Sequence, residues 1–190
     1  MLKPDFNEAY NLRANIYAES GLAKEALTDY NKAIILKPDN PEYYLNRGLL
    51  QLNKGVYNEA ITDFTQAISL KPAYDEAFNN RGMAKSYLSD FEGAVADYSK
   101  AISINPSLAI AYNNRAVVYA VKKKYDDAEK DFMKYLTFFP DDARTYLNIG
   151  LVKIEKGDNL GACSYFEQAL AKGDEKAKFL IFTHCQKSSK

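Results

Sequence analysis

The sequence predicts an all-α fold, a solenoid of five helix–turn–helix repeats that ends in a C-terminal capping helix. The first observation behind this prediction is a set of prolines spaced 34 residues apart, at Pro38, Pro72, Pro106 and Pro140. The second is that apolar residues between them recur at the spacing of an amphipathic helix, in two runs separated by a turn. One such hairpin cannot bury its own apolar face, so neighbouring hairpins must stack.

The repeat is defined by small and aromatic residues at fixed positions, counted so that each of these prolines is position 32. Position 4 is aromatic at Tyr10, Tyr44, Phe78, Tyr112 and Tyr146. Position 8 is small at Ala14, Gly48, Gly82, Ala116 and Gly150, and position 20 is alanine at Ala26, Ala60, Ala94, Ala128 and Ala162. Position 24 is aromatic at Tyr30, Phe64, Tyr98, Phe132 and Phe166. The small residues are expected to let paired helices approach closely, and the aromatic residues to fill the space between units.

Each repeat is predicted to be one helical hairpin. The first helix ends at a turn that contains Gly21, Gly55 or Gly157, and proline ends the second helix because it cannot continue the hydrogen-bond ladder. The predicted repeats of this single array, residues 1–190, span residues 7–40, 41–74, 75–108, 109–142 and 143–174. Residues 175–187 are predicted to form the capping helix, where several lysines accompany Phe179, Leu180 and Phe182 and suit the polar outer face of a terminal unit.

The combined pattern resembles that of tetratricopeptide repeats over residues 7–187. It shares the 34-residue period, the aromatic residues at positions 4 and 24, the small residues at positions 8, 20 and 27, and the proline at position 32. It departs in having no tryptophan, arginine at position 7 of four repeats, and Tyr135 at position 27 of the fourth. The resemblance implies a right-handed superhelix whose function is to bind a protein or peptide.

Composition excludes several functions. The 25 Lys and Arg residues are balanced by 25 Asp and Glu residues. Binding to nucleic acid needs an excess of cations on one surface, so we expect neither a nucleic acid nor a membrane surface as partner. His184 is the only histidine, and no Cys/His cluster has metal-binding spacing. No glycine-rich loop resembles a phosphate-binding loop either, so we expect no enzyme, metal or cofactor.

The only cysteines are Cys163 and Cys185, 22 residues apart and both in helical pattern. We expect them to be free thiols, which favours a reducing compartment such as the cytoplasm. No apolar stretch approaches the length of a membrane span. Residues 2–4, Leu-Lys-Pro, lie 34 residues before the same tripeptide at residues 36–38. This indicates a fragment of a longer array, or a parent protein whose first repeat is degenerate.

Arginine at position 7 is accompanied by aspartate at position 23. The pairs are Arg13 with Asp29, Arg47 with Asp63, Arg81 with Asp97, and Arg115 with Asp131. In the fifth repeat both members are replaced, by Ile149 and Tyr165. Position 7 faces the core, where an arginine needs a carboxylate partner, so we interpret these residues as structural ion pairs. The alternative, a basic stripe for an acidic ligand, is weakened by the matching acids.

A peptide-binding groove is predicted on the opposite side of the first helices, where positions 2, 5, 6, 9 and 13 cluster. Position 6 is occupied by Leu12, Asn46, Asn80, Asn114 and Asn148. An asparagine amide offers both a donor and an acceptor to a peptide main chain, as in β-strand recognition. The neighbouring apolar residues assigned to this concave groove are Leu45, Leu49, Met83, Val117, Leu147 and Leu151. The alternatives are that the asparagines cap or brace neighbouring helices and that the apolar residues are covered and belong to the core.

The partner is not expected to be a chaperone C-terminal tail. Chaperone-binding members of the resembled family use a carboxylate clamp of Lys, Asn and Arg residues. At the corresponding positions, the first three repeats contain Asn11 and Asn15, then Asn46, then Glu76 and Asn80. The cations are missing, so a clamp for a terminal carboxylate is not formed.

Three functions are compatible with the sequence. The first is a scaffold that holds an extended partner segment in the groove. The second is the recognition module of a larger enzyme such as a glycosyltransferase, with catalysis elsewhere in the parent, and the repeat phase at residues 2–4 motivates it. The asparagine ladder itself resembles the one that lines O-linked N-acetylglucosamine transferases. The third is homo-oligomerisation through exposed ends of the array.

Overall fold

The computed structural model describes residues 6–185, which contain eleven α-helices and no strand. The predicted all-α helical-repeat fold is therefore confirmed. The helices are α1 (Phe6–Glu19), α2 (Ala23–Leu36), α3 (Pro41–Asn53), α4 (Tyr57–Leu70), α5 (Asp75–Tyr87), α6 (Phe91–Ile104), α7 (Ala109–Val121), α8 (Tyr125–Leu136), α9 (Ala143–Glu155), α10 (Asn159–Ala171) and α11 (Lys176–His184). The tripeptide at residues 2–4 lies outside the described residues.

The chain divides into two compact units, and the division in sequence falls between Asn105 and Pro106. The first unit contains the hairpins α1–α2, α3–α4 and α5–α6. The second contains α7–α8 and α9–α10, followed by α11 packed on α10. The continuity of the array across both units is a proposal from the sequence.

Small residues at the hairpin contacts explain how closely the helices pack. The alanines at position 20 and the aromatic rings at position 24 are buried in all five repeats. At position 8, the ring of the partner helix leaves no room for a side chain in three repeats. A Cβ atom on Gly150 would lie 2.4 Å from Cε1 of Phe166, and one on Gly48 would lie 2.8 Å from Cε1 of Phe64. Close packing of this kind is what makes the pattern of positions 8, 20 and 24 specific to the fold.

Neighbouring repeats are also joined by hydrogen bonds from position 4. The hydroxyl of Tyr44 donates to the carbonyl oxygen of Pro38 at 3.0 Å, and the hydroxyl of Tyr146 donates to that of Pro140 at 3.1 Å. Both bonds connect the first helix of a repeat to the end of the preceding one. The tyrosines therefore add a polar link to the packing that their rings provide.

The second helices end before the repeated prolines, but not always at the same distance. In the first three repeats the residue before proline has left the helical region, with φ of −145° at Lys37, −133° at Lys71 and −131° at Asn105. A following proline disfavours the helical conformation at this residue. In the fourth repeat, α8 instead ends at Leu136, four residues before Pro140. Proline thus ends the second helix only in the first three repeats. In the fourth repeat the second helix ends earlier, in a turn in which the Thr137 hydroxyl donates to the carbonyl oxygen of Lys134.

The C-terminal helix α11 differs from the expected cap in its outer face. It packs on α10 through Ala177, Leu180 and Ile181. The side chains of Phe179 and Phe182 lie on another face and are 70% and 65% exposed. The outer face is therefore apolar at these two positions rather than polar. Residues 186 and 187 of the predicted helix lie outside the described residues.

The expectation of two free thiols is wrong. Cys163 in α10 and Cys185, which follows α11, form a disulfide, with Cα atoms 5.7 Å apart. Their separation of 22 residues in sequence conceals this proximity, because α11 folds back along α10. The inference of a reducing compartment rested on free thiols and loses its support.

Candidate functional site

The arginines at position 7 form bidentate pairs with the aspartates at position 23. Arg47 donates from Nε to Asp63 Oδ2 at 2.8 Å and from Nη2 to Oδ1 at 2.6 Å. The same two contacts join Arg13 to Asp29, Arg81 to Asp97, and Arg115 to Asp131. All four aspartates are buried. A buried carboxylate held by two charge-assisted hydrogen bonds is a structural element of the hairpin.

The arginines also contact residues outside their own hairpin, which the sequence did not indicate. Nη1 of Arg47 donates to Oδ1 of Asn31 at 2.6 Å, and Nη1 of Arg81 donates to Oγ1 of Thr65 at 3.1 Å. Asn31 and Thr65 both occupy position 25 of the preceding repeat. The only signal was the recurrence of polar residues at position 25, which is weak without the geometry. Each of these arginines therefore couples two repeats.

The ion pair between Arg13 and Asp29 changes the acidity of the aspartate. Hydrogen bonds from Arg13 lower the pKa of the Asp29 carboxyl below its usual range, against the opposing effect of burial. The guanidinium of Arg13 also lies 5.5 Å from the centre of the Tyr10 ring. Asp29 is therefore ionised at neutral pH, and its charge is already matched.

The asparagines at position 6 are partly exposed, and each has different neighbours. Asn46 donates from Nδ2 to Oδ1 of Asn11 at 3.1 Å, and Asn80 accepts at Oδ1 from Nδ2 of Asn79 at 3.3 Å. The side chain of Asn148 makes no hydrogen bond to another residue within 6–185. Asn114 is also partly exposed. In the first unit Asn46 thus braces a neighbouring first helix, as the bracing alternative proposes, and Asn80 bonds the adjacent residue of its own helix, while the amide of Asn148 is available.

A buried amide at position 5 was missed by the sequence analysis. Asn11 and Asn79 are 3% and 7% exposed, and both meet an asparagine of position 6. The available signal was asparagine at position 5 in three repeats, and the bond between Asn11 and Asn46 shows that such a residue can link neighbouring first helices. Position 5 therefore belongs to the packing between repeats rather than to an open surface.

The apolar residues assigned to the groove separate into three groups. Leu45 and Leu147, at position 5, are only 5% and 8% exposed and belong to the cores of the two units. Their assignment to the groove is corrected, because position 5 turns toward the neighbouring repeat. Leu49 and Met83 are half-buried against the core of the first unit. Val117 and Leu151, at position 9 of the second unit, are exposed.

Val117 and Leu151 line a cavity of about 630 Å³ in the second unit, which we call the α7–α9 cavity. Its other lining residues include Val121, the amide of Asn148, Lys123, Glu155 and His184. The carboxylate of Glu155 accepts a hydrogen bond from the Tyr125 hydroxyl at 3.1 Å. Buried Phe132 and Val152 also contribute to the wall. The cavity is therefore mostly apolar, with a few polar groups at separate points, as in many binding sites.

Among residues 6–185, no group of three or more His, Cys, Asp and Glu side chains is arranged to hold a metal ion. None of the helices in this same range combines the length and the apolar character that a membrane span requires.

Family models match most of the repeats. A model described as TPR repeat matches residues 14–55 and 87–123. Models described as tetratricopeptide repeat match residues 109–142, and residues 41–74 and 143–171. The chain therefore belongs to the tetratricopeptide repeat family, whose members are protein-interaction scaffolds. No curated protein sequence matches the chain significantly.

Solved structures share the fold over nearly the whole chain. A crystal structure of MamA protein has a TM-score of 0.83 and 27% identity, and covers 93% of this chain and 97% of that one. MamA from Desulfovibrio magneticus RS-1 has a TM-score of 0.83 and 18% identity, covering 90% and 97%. YrrB, described as a TPR protein with an unusual peptide-binding site, has a TM-score of 0.79 and 20% identity, covering 92% and 90%. The last two likenesses show the fold alone.

Proposed function

We propose that this protein is an interaction scaffold that holds an extended segment of a partner protein on the first-helix face, the side of the first helices that carries positions 6 and 9. The observation that carries this proposal is the amide of Asn148 beside exposed Val117 and Leu151 in one cavity. An amide without a hydrogen bond and apolar side chains exposed to solvent are both suited to a bound peptide.

The first unit supports the same mode of binding with fewer available groups. Asn46 uses one amide hydrogen for Asn11, which leaves its carbonyl oxygen and its second hydrogen. Asn80 uses its carbonyl oxygen for Asn79, which leaves its two amide hydrogens. These groups can bond the peptide units of an extended segment, and such bonds make little demand on its side chains. We therefore propose that, in this unit, the shape and main chain of the bound segment contribute more to binding than its amino-acid sequence does.

The electrostatics support a protein partner rather than a polyanion. The four arginines of position 7 are paired with aspartates, so their charges are matched within the hairpins. A clamp for a terminal carboxylate is not expected either, because Asn11 is buried and Glu76 carries the wrong charge. We propose a protein or peptide partner, and neither a nucleic acid nor a chaperone tail.

The test is a comparison of two double variants against the same partner. Immobilised protein would capture partners from a lysate of its source, and calorimetry would then measure the affinity of the identified partner. Changing Asn80 and Asn148 together to alanine removes two main-chain contacts at about 1 kcal/mol each, so the affinity should fall at least tenfold. The matched control changes Asn58 and Asn159, which are exposed and lie in the second helices of their repeats.

The control should bind as tightly as the unmodified protein, and both variants should keep the helical circular dichroism of the fold. Equal affinities for the Asn80/Asn148 variant and the unmodified protein would show that the first-helix face does not hold the partner.

A further inference from the structure

We propose that the α7–α9 cavity is an anchor subsite for one large apolar side chain of the bound segment, flanked on that segment by one acidic and one basic residue. The inference rests on the proposed function and specifies the chemistry of the partner at one place on the first-helix face.

The apolar side chain is required by what the cavity exposes. Val117, Val121 and Leu151 are 43%, 57% and 40% exposed and line the same cavity. Three neighbouring apolar side chains in a concave surface leave water in contact with hydrocarbon, and an apolar group that displaces this water is stabilised. The volume of about 630 Å³ lies in the range of ligand sites and exceeds one side chain, so a segment of main chain also fits.

The main chain of the segment is placed by Asn148. Its amide lines the cavity and has no hydrogen bond to another described residue. A peptide unit adjacent to the anchor residue satisfies both the donor and the acceptor of this amide. The anchor side chain and its own backbone are therefore recognised by neighbouring groups of one wall.

The flanking charges follow from two side chains of opposite sign. Lys123 and Glu155 both line the cavity, and neither forms a salt bridge with the other or with another residue of the described part of the chain. Glu155 is held by the hydroxyl of Tyr125. Two unpaired opposite charges beside an apolar surface are complementary to a segment that carries a base near Glu155 and an acid near Lys123. The proposed partner segment therefore differs both from a purely apolar segment and from one whose charges all have the same sign.

The experiment titrates the whole chain with synthetic nonapeptides while NMR follows the methyl groups of Val117, Val121 and Leu151. The parent peptide has a glycine–serine background with phenylalanine between lysine and aspartate, and it is made in both orders of charge. We expect one order to shift these methyl resonances saturably. Replacing the phenylalanine by alanine should weaken binding at least tenfold.

Two variants test the lining directly. Changing Val117 and Val121 together to threonine preserves the shape of the side chains and should weaken binding of the phenylalanine peptide five- to tenfold. The matched control changes Val56, an exposed valine of the first unit, to threonine and should leave binding unchanged. Glu155→Gln should weaken the lysine-containing peptide two- to fivefold, the range of an exposed ion pair, and leave a peptide with alanine at that position unaffected.

Three outcomes would overturn the inference. These are equal binding of the phenylalanine and alanine peptides, methyl shifts confined to other parts of the chain, and shifts that grow with protein concentration alone, which would identify a second copy as occupant. If the cavity methyls do not respond while the Asn80/Asn148 variant still loses its partner, the anchor subsite is wrong and the scaffold function stands. If the peptides bind the cavity and the Asn80/Asn148 variant keeps its partner, the anchor subsite stands, and the proposal that these two asparagines hold the partner is contradicted.

Discussion

The turn between the two helices of a repeat places one residue, at position 15, in the left-handed region of backbone conformation. Glycine occupies this position in three repeats, with φ of +77° at Gly21, +76° at Gly55 and +81° at Gly157. Ser89 and Lys123 occupy it in the third and fourth repeats, with φ of +62° and +57°. A residue with a Cβ atom is strained in this conformation, by about 1–2 kcal/mol. The sequence shows a turn in every repeat, but two of these turns are formed against the preference of their residues.

Ser89→Gly should therefore stabilise the protein. Relief of strain exceeds the added chain entropy of glycine in the unfolded state, so the free energy of unfolding should rise by about 0.5–1 kcal/mol. Urea unfolding followed by circular dichroism measures this change.

The reciprocal variant Gly55→Ser is the control for Ser89→Gly. Only the ring end of Tyr57 lies near the site of the new Cβ, at 3.9 Å or more, so strain rather than a clash determines the effect. It should lower the free energy of unfolding by about 1 kcal/mol. Changes of the same sign in both variants would contradict the explanation by backbone conformation.

At the scale of the helices, each of the first four hairpins is closed by an ion pair as well as by apolar packing. Asp29 in α2 accepts from Arg13 in α1, and this contact lowers the pKa of the carboxyl. A group whose pKa is lower in the folded state stabilises the fold above its unfolded pKa. This contribution is lost as the pH falls through the folded pKa. The first hairpin should thus be stabilised by this pair at neutral pH and less so in acid.

Asp29→Asn should lower the free energy of unfolding by about 1–3 kcal/mol at pH 7, because a buried charge-assisted contact is lost. The difference from the unmodified protein should shrink as the pH is lowered below 4, where the carboxyl of the unmodified protein also becomes protonated. Urea unfolding of both proteins at pH 7, 4 and 2.5 tests this dependence.

Asp39→Asn serves as the control for the pH series. Asp39 is exposed between α2 and α3 and forms no salt bridge with a residue in 6–185. Its replacement should change stability little at any of these pH values. A difference between Asp29→Asn and the unmodified protein that stays constant from pH 7 to 2.5 would show that the carboxylate charge is not the cause.

At the scale of the whole molecule, the disulfide and α11 determine how the second unit ends. The bond between Cys163 and Cys185 holds the residue after α11 to α10, while His184, its neighbour in sequence, lines the α7–α9 cavity. A crosslink stabilises chiefly by reducing the freedom of the unfolded chain, and it does so more for longer loops. The disulfide should therefore strengthen the last helix, which packs mainly on α10.

Changing Cys163 and Cys185 together to serine should lower the free energy of unfolding of the second unit by about 2–4 kcal/mol. Amide hydrogen exchange should increase first in α11 and the facing part of α10, and less in α7 and α8. A dithiol reductant should reproduce these effects in the unmodified protein and have none on the double variant. Unchanged exchange in α11 after reduction would show that its apolar contacts suffice.

The fold and the candidate site differ in how much of each could be predicted. The hairpins follow from Ala60, Phe64 and their equivalents, because small residues at fixed positions of a 34-residue pattern let the facing helices pack closely against aromatic rings. The pairing of Arg47 with Asp63 could be expected too, since an arginine on the core face needs a carboxylate nearby. The assignment of Leu45 and Leu147 to the groove was wrong, because neighbouring positions on one helix face separate into contact and open surface only when the next repeat is in place.

The sequence by itself determined the elements: how many hairpins form, which helix faces pack, and where most turns occur, because these depend on local propensity and on a repeated pattern. Only the tertiary structure decided the disulfide, the burial of position 5 and the α7–α9 cavity. Each of these depends on the distance between residues that are far apart in sequence, and helical periodicity contains no information on that distance. The candidate site belongs to this second group, since Val117, Asn148 and Glu155 meet only after two repeats have stacked.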